Sequence, residues 1–137
     1  MISNVFLDTS FFKGFVDEMD EFHSKAVEVY SYLSSYKHKL VTTNFVLGET
    51  ITLIRVKCGL EKVKDFQQAL LDFEPLKLVR ITGKDEKEAW KWFWNKWSKL
   101  SFTDCTSFAA MERLGLKRVA TFDQHFGQAG FEVLGSN

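Results

Sequence analysis

The sequence predicts an α/β domain, a three-layer α/β/α sandwich with a mainly parallel central sheet. Three observations predict it. Short apolar runs alternate with amphipathic helical stretches along all 137 residues, which is the pattern of strands joined by helical crossovers. The first run, Val5-Phe6-Leu7, is continuous in apolar residues rather than alternating, as expected of a central strand covered on both faces. Hydrophobic residues make up 45% and charged residues 26% of the chain, enough for one core, so residues 1–137 read as a single domain.

Taken in order, Asn4-Val5-Phe6-Leu7-Asp8 reads as a buried strand ending in an acid, followed by a brief helical turn from Thr9-Ser10 through Phe15. From about Ser24 to Lys37, Ala26, Val29, Tyr30 and Leu33 share one helix face. Leu40-Val41-Thr42 is a second strand. Asn44 is placed to cap the next helix and Gly59 to end it. That helix has two apolar stripes, Leu47, Ile51, Ile54 and Cys58, and Phe45, Leu53 and Val56. A further helix runs from Leu60 to about Asp72, and Pro75 stops it. Leu76 to Ile81 forms a third strand, with Thr82-x-x-Asp85 capping the helix that follows. Trp90, Phe93, Trp94 and Trp97 fall on one face of that helix, expected to pack in the core or against another subunit; lysines around them leave base stacking as the other reading. After the helix opened by Ser101-x-x-Asp104, Gly115 is the C-terminal cap, Arg118 to Phe122 a fourth strand, and Phe131 to Leu134 an edge strand.

Composition excludes several classes. Eighteen basic and eighteen acidic residues balance, so no bulk charge draws the chain to nucleic acid or to an anionic membrane. Met1-Ile2-Ser3-Asn4 has neither the basic start nor the apolar run of a leader, and no segment is long and apolar enough for a membrane span, so a cytoplasmic location is expected. Cys58 and Cys105 lack ligand spacing and read as free thiols. His23, His38 and His125 are scattered and mark no metal site.

Four acids stand out. Asp104 reads two ways: the N3 acid of a capping box, or a functional carboxylate on the stripe of Phe108 and Met111. Glu49 lies between Phe45 and Leu53 at helical spacing, where a solvated acid is not expected. Asp8 and Asp123 follow strands. In a parallel sheet, strand C-termini and helix N-termini share one rim, so all four can converge there. Acids that close repel unless a cation lies between them, and hard oxygen donors select Mg²⁺ or Mn²⁺. Such a site suits phosphate chemistry.

Val5-Phe6-Leu7-Asp8-Thr9-Ser10, Glu49, Ser101-Phe102-Thr103-Asp104 and Thr121-Phe122-Asp123-Gln124-His125-Phe126 with Gly130-Phe131 together resemble the PIN domain, especially single-domain VapC-type toxins. The resemblance spans nearly the whole chain in order and spacing. It implies a metal-dependent endoribonuclease with Asp8, Glu49, Asp104 and Asp123 as its acidic quartet. Asp8, Asp104 and Asp123 would hold Mg²⁺ or Mn²⁺, and Glu49 would ligate metal or orient the attacking water. Thr9, Thr103 and Thr121 match supporting hydroxyls, whereas Phe122 stands where relatives are frequently polar. The resemblance further implies an RNA substrate, a homodimer and a cognate antitoxin.

Two phosphate-handling alternatives fail on residues. A haloacid-dehalogenase-like phosphatase needs a second acid at Ser10, and a phospho-receiver needs an Asp after the third strand, where Arg80-Ile81-Thr82 stands. A non-catalytic module that binds RNA or a partner is the remaining alternative, and the intact quartet favours an enzyme.

Overall fold

The structure is a computed structural model and describes residues 4–135; Met1, Ile2 and Ser3, on which the expectation about a leader rested, lie outside the described residues. Five parallel strands, β1 (Asn4–Leu7), β2 (Lys39–Thr43), β3 (Leu76–Val79), β4 (Arg118–Ala120) and β5 (Glu132–Leu134), line up in the order β3-β2-β1-β4-β5. Seven helices connect them among the described residues: α1 (Thr9–Val16), α2 (His23–Ser35), α3 (Asn44–Cys58), α4 (Leu60–Ala69), α5 (Gly83–Phe93), α6 (Phe102–Leu114) and α7 (Gln124–Gln128). Helices α1 to α4 pack on one another, and α5 packs on α6. With right-handed crossovers, these groups cover opposite faces of the sheet, which gives the three-layer sandwich.

Each layer is fastened by aromatics. Phe11, Phe12, Phe66 and Phe73 are all at most 2% exposed, and their rings meet edge-on at centroid distances such as 5.5 Å for Phe12–Phe66 and 5.6 Å for Phe12–Phe73. On the other face Phe108 packs edge-on against Phe126 at 5.0 Å and against Trp92 at 5.1 Å. Each such buried ring contributes on the order of 2 kcal/mol of transfer free energy. The sheet is thereby held from both sides.

The topology sets the position of the site. From β1 the chain steps outward to β2 and β3, then returns to the other side of β1 for β4 and β5. The order therefore reverses between β1 and β4, the point where parallel sheets open a crevice at their carboxyl ends. Asp8 and Asp123 stand just beyond those two strands.

Local details differ from the sequence expectation for identifiable reasons. Thr43, not Asn44, caps α3, its hydroxyl accepting from the Val46 N–H at 3.1 Å. Asn44 instead accepts from the Ile81 N–H at 2.9 Å and ties the end of β3 to α3. The buried stripe of α3 is Val46, Thr50 and Ile54, with Ile51 and Val56 exposed by 43% and 75%. The expected helix to Asp72 breaks into α4 and a 3₁₀ turn over Leu70–Phe73. Helix α5 ends at Phe93, so Trp94 and Trp97 leave the helix and the expected four-residue face divides: Phe93 and Trp97 are partly buried, while Trp90 and Trp94 are 49% and 73% exposed. No helix of the described residues is long and apolar enough to cross a membrane.

Candidate active site

Asp8 ends β1 and caps α1, with its Oδ2 accepting from the Ser10 N–H at 3.4 Å. The same Oδ2 accepts from the Thr121 hydroxyl at 2.7 Å and lies 3.1 Å from the Ser10 hydroxyl. Thr121 Oγ1 in turn accepts from the Asp123 N–H at 3.0 Å, and Ser10 Oγ accepts from the Phe122 N–H at 2.8 Å. Two hydroxyls thus stitch the end of β1 to the end of β4. Asp8 Oδ1 is buried with no hydrogen-bond partner.

Asp104 forms the cap its sequence position suggested, and it is buried as well. It closes the capping box of α6, with its N–H donating to Ser101 Oγ at 3.0 Å and its Oδ2 accepting from the Ser101 N–H at 3.3 Å. It is also 4% exposed. Burial and the charges of Asp8, Asp123 and Glu49 push its carboxyl up to about 8. Burial, opposed by hydrogen bonds from Thr121 and Ser10 and reinforced by Asp123, pushes Asp8 up to about 6. These mutual effects show that the four acids share one electrostatic neighbourhood. Among the described residues no lysine or arginine forms an ion pair with any of them.

Asp123 caps α7, accepting from the His125 N–H at 2.7 Å. Oxygens of Asp104 and Asp123 and a ring nitrogen of His125 all lie within 4.8 Å of one another. Asp8 and Glu49 stand outside that trio, Asp8 joined to it through Thr121 and Glu49 half-buried on α3, near enough for its charge to act on Asp104. A cluster of carboxylates, two buried and one with an orphaned oxygen, fits a divalent cation by its donor chemistry.

A family model described as PIN domain matches residues 5–132. The chain belongs to the PIN domain family. It is 32% identical over 128 residues to the "23S rRNA-specific endonuclease VapC20" of Mycobacterium tuberculosis, covering 93% of this chain and 95% of that protein. The crystal structure of VapC20 superposes with a TM-score of 0.81 at 31% identity, over 93% of this chain and 95% of that one. FitAcB from Neisseria gonorrhoeae matches in fold with a TM-score of 0.65 at 15% identity, over 95% and 96% of the two chains. VapBC2 from Rickettsia felis bound to a DNA fragment does so with a TM-score of 0.68 at 12%, over 97% of each.

Within this PIN domain the three threonines named from sequence have different surroundings. Thr121 touches the acids directly. Thr9 turns to α3, its hydroxyl accepting from Thr50 Oγ1 at 3.2 Å and lying 3.5 Å from the Val46 carbonyl. Thr103 contributes its carbonyl oxygen, which accepts from the Thr106 hydroxyl at 2.7 Å. Sequence reasoning missed Ser10 and His125. Both lie two residues after an acid that begins a helix, a spacing that was present in the sequence as the signal.

Proposed function

We propose that this PIN domain is a divalent-metal-dependent endoribonuclease, acting as one domain in the cytoplasm as the toxin of a toxin–antitoxin pair. The observation that carries the reading is Asp104, an acid buried beside other acids and, among the described residues, not ion-paired with any lysine or arginine. A carboxylate there is tolerable when a cation completes the site. Its relative VapC20 is named for cleaving 23S rRNA, which supports RNA as the substrate class.

Asp8, Asp104 and Asp123 would hold the ion, Mg²⁺ or Mn²⁺, with Thr121 fixing the rotamer of Asp8 and Ser101 that of Asp104. When bound, the ion supplies charge neutralisation at the phosphate and acidifies water for in-line attack. Glu49 would ligate the ion or orient that water and take its proton. Surface lysines guide the RNA backbone. A cognate antitoxin would cover the groove, and a homodimer would cover Trp90 and Trp94.

Incubating ribosomal RNA with the protein, in Mn²⁺ or Mg²⁺ and in EDTA, tests the reading. Cleavage should require metal, and Asp8→Asn or Asp104→Asn should lower it by more than about 100-fold with circular dichroism unchanged. Near wild-type cleavage by either variant overturns the assignment. Sedimentation velocity at micromolar concentration should show a dimer.

A further inference from the structure

His125 does not fit the all-oxygen site expected of the acids. It is 4% exposed, and its ring stacks on Trp97 with centroids 6.2 Å apart and planes 15° from parallel. Its Nε2 lies 2.8 Å from the Ser98 carbonyl oxygen. A carbonyl can only accept, so Nε2 carries a proton, and an Nδ1 without one offers a lone pair. That Nδ1 is 2.7 Å from Asp123 Oδ1 and 3.7 Å from Asp104 Oδ2. It is buried and has no aligned hydrogen bond to either.

A lone pair facing two carboxylate oxygens at these distances is repulsive unless something positive lies between them. A second ring proton would answer this by pointing along a hydrogen bond to Asp123, and the misalignment at 2.7 Å speaks against that. A metal ion needs no such alignment between the donors themselves. The outer N–H on a backbone carbonyl is also the arrangement that orients metal-ligating histidines.

We propose that His125 Nδ1 is a ligand of the same divalent ion held by Asp104 and Asp123, making the centre a mixed nitrogen–oxygen site that favours first-row transition ions such as Mn²⁺ over Mg²⁺. This rests on the metal-nuclease reading above and extends its ligand set. All three donor atoms lie within 4.8 Å of one another, a spacing that one ion can bridge. Imidazole suits transition ions, whereas Mg²⁺ takes oxygen donors and keeps its waters. His125 therefore sets which metal the site prefers.

The test uses the full chain stripped of metal and titrated with Mn²⁺ and Mg²⁺ by calorimetry, with pulsed electron paramagnetic resonance of the Mn²⁺ form. The Mn²⁺ spectrum should show coupling to one imidazole ¹⁴N. In His125→Asn that coupling should vanish, with Mn²⁺ affinity falling by at least about tenfold and Mg²⁺ affinity by less than about threefold. Bound Mn²⁺ without nitrogen coupling, or His125→Asn binding Mn²⁺ as tightly as wild type, overturns the inference while leaving an acidic metal site in place. Failure of the wild type to bind either ion overturns both the inference and the nuclease reading. If His125→Asn does not fold, the wild-type spectrum decides alone.

Discussion

Under the proposed reading, Asp104 concentrates the chemistry of the molecule in one side chain. Without metal it is repelled by Asp8, Asp123 and Glu49, so Asp104→Asn should raise the metal-free melting temperature. A metal ion that binds only the folded state stabilises wild type by about 2.7 kcal/mol at ~100 times its dissociation constant. That is a rise on the order of 10 °C for a domain near this size, and Asp104→Asn should shrink it. Calorimetric melts of both proteins in EDTA and in Mn²⁺ check the two signs together. The pH dependence follows from the same acids. Asp8 and Asp104 hold their protons to about 6 and about 8 when folded, against about 4 when unfolded. The folded state therefore binds more protons between those values, and their contribution, full below about pH 4, is lost as pH rises through about 6 and then about 8. Asp17 and Asp85 are shifted down by Lys13 and Arg113, so their contribution is lost as pH falls below about 4. Metal-free melting temperature should peak at mildly acid pH and fall toward pH 8, and Mn²⁺ should flatten the fall. Asp8, Asp104 and Asp123 stood out in the sequence because each lies at an element's end, and Glu49 because it interrupts an apolar helix stripe. His125 did not, because its meaning depends on Ser98 and Asp104, which are distant in sequence from it.

Two helices begin with the same device and put it to opposite uses. Thr82-x-x-Asp85 and Ser101-x-x-Asp104 both form complete capping boxes, and both acids are buried, at 2% and 4% exposure. Asp85 meets Arg113, whose Nε and Nη2 donate to its two oxygens at 2.8 and 2.9 Å. Asp104 meets acids. Asn caps comparably to Asp, so substitution isolates the charge. Asp85→Asn should lower stability by about 1 kcal/mol, a modest figure because Arg113 is partly solvated, and should leave the metal response intact. Urea unfolding of the two variants side by side should show opposite signs in EDTA. Sequence pattern could place both caps but could not tell them apart, since the deciding partner is supplied by another part of the fold in each case. The same limit explains Trp94 and Trp97. Helical spacing assigned them to one face, but the helix had already ended at Phe93, and residues beyond it obey loop geometry.

At the scale of the whole molecule, the strand order was legible as a class but not as a sequence of neighbours. Strands separated by helices throughout announced a parallel sheet, whereas the reversal between β1 and β4 depends on packing of helices on two faces. That reversal joins Asp8 to Thr121 across 113 residues of chain. It also orders events in time. Every local turn and helix can form early, but β1 cannot acquire β4 as its neighbour until the intervening strands and helices have been laid down, and closing so long a loop is slow. A partly folded chain lacking β4 therefore cannot complete the proposed metal site. Metal should leave the refolding rate nearly unchanged and act almost wholly by slowing unfolding, which stopped-flow chevrons with and without Mn²⁺ would show as a shift in the unfolding limb alone. The bound ion would then act as a latch on the finished molecule, lengthening its lifetime without hastening its assembly.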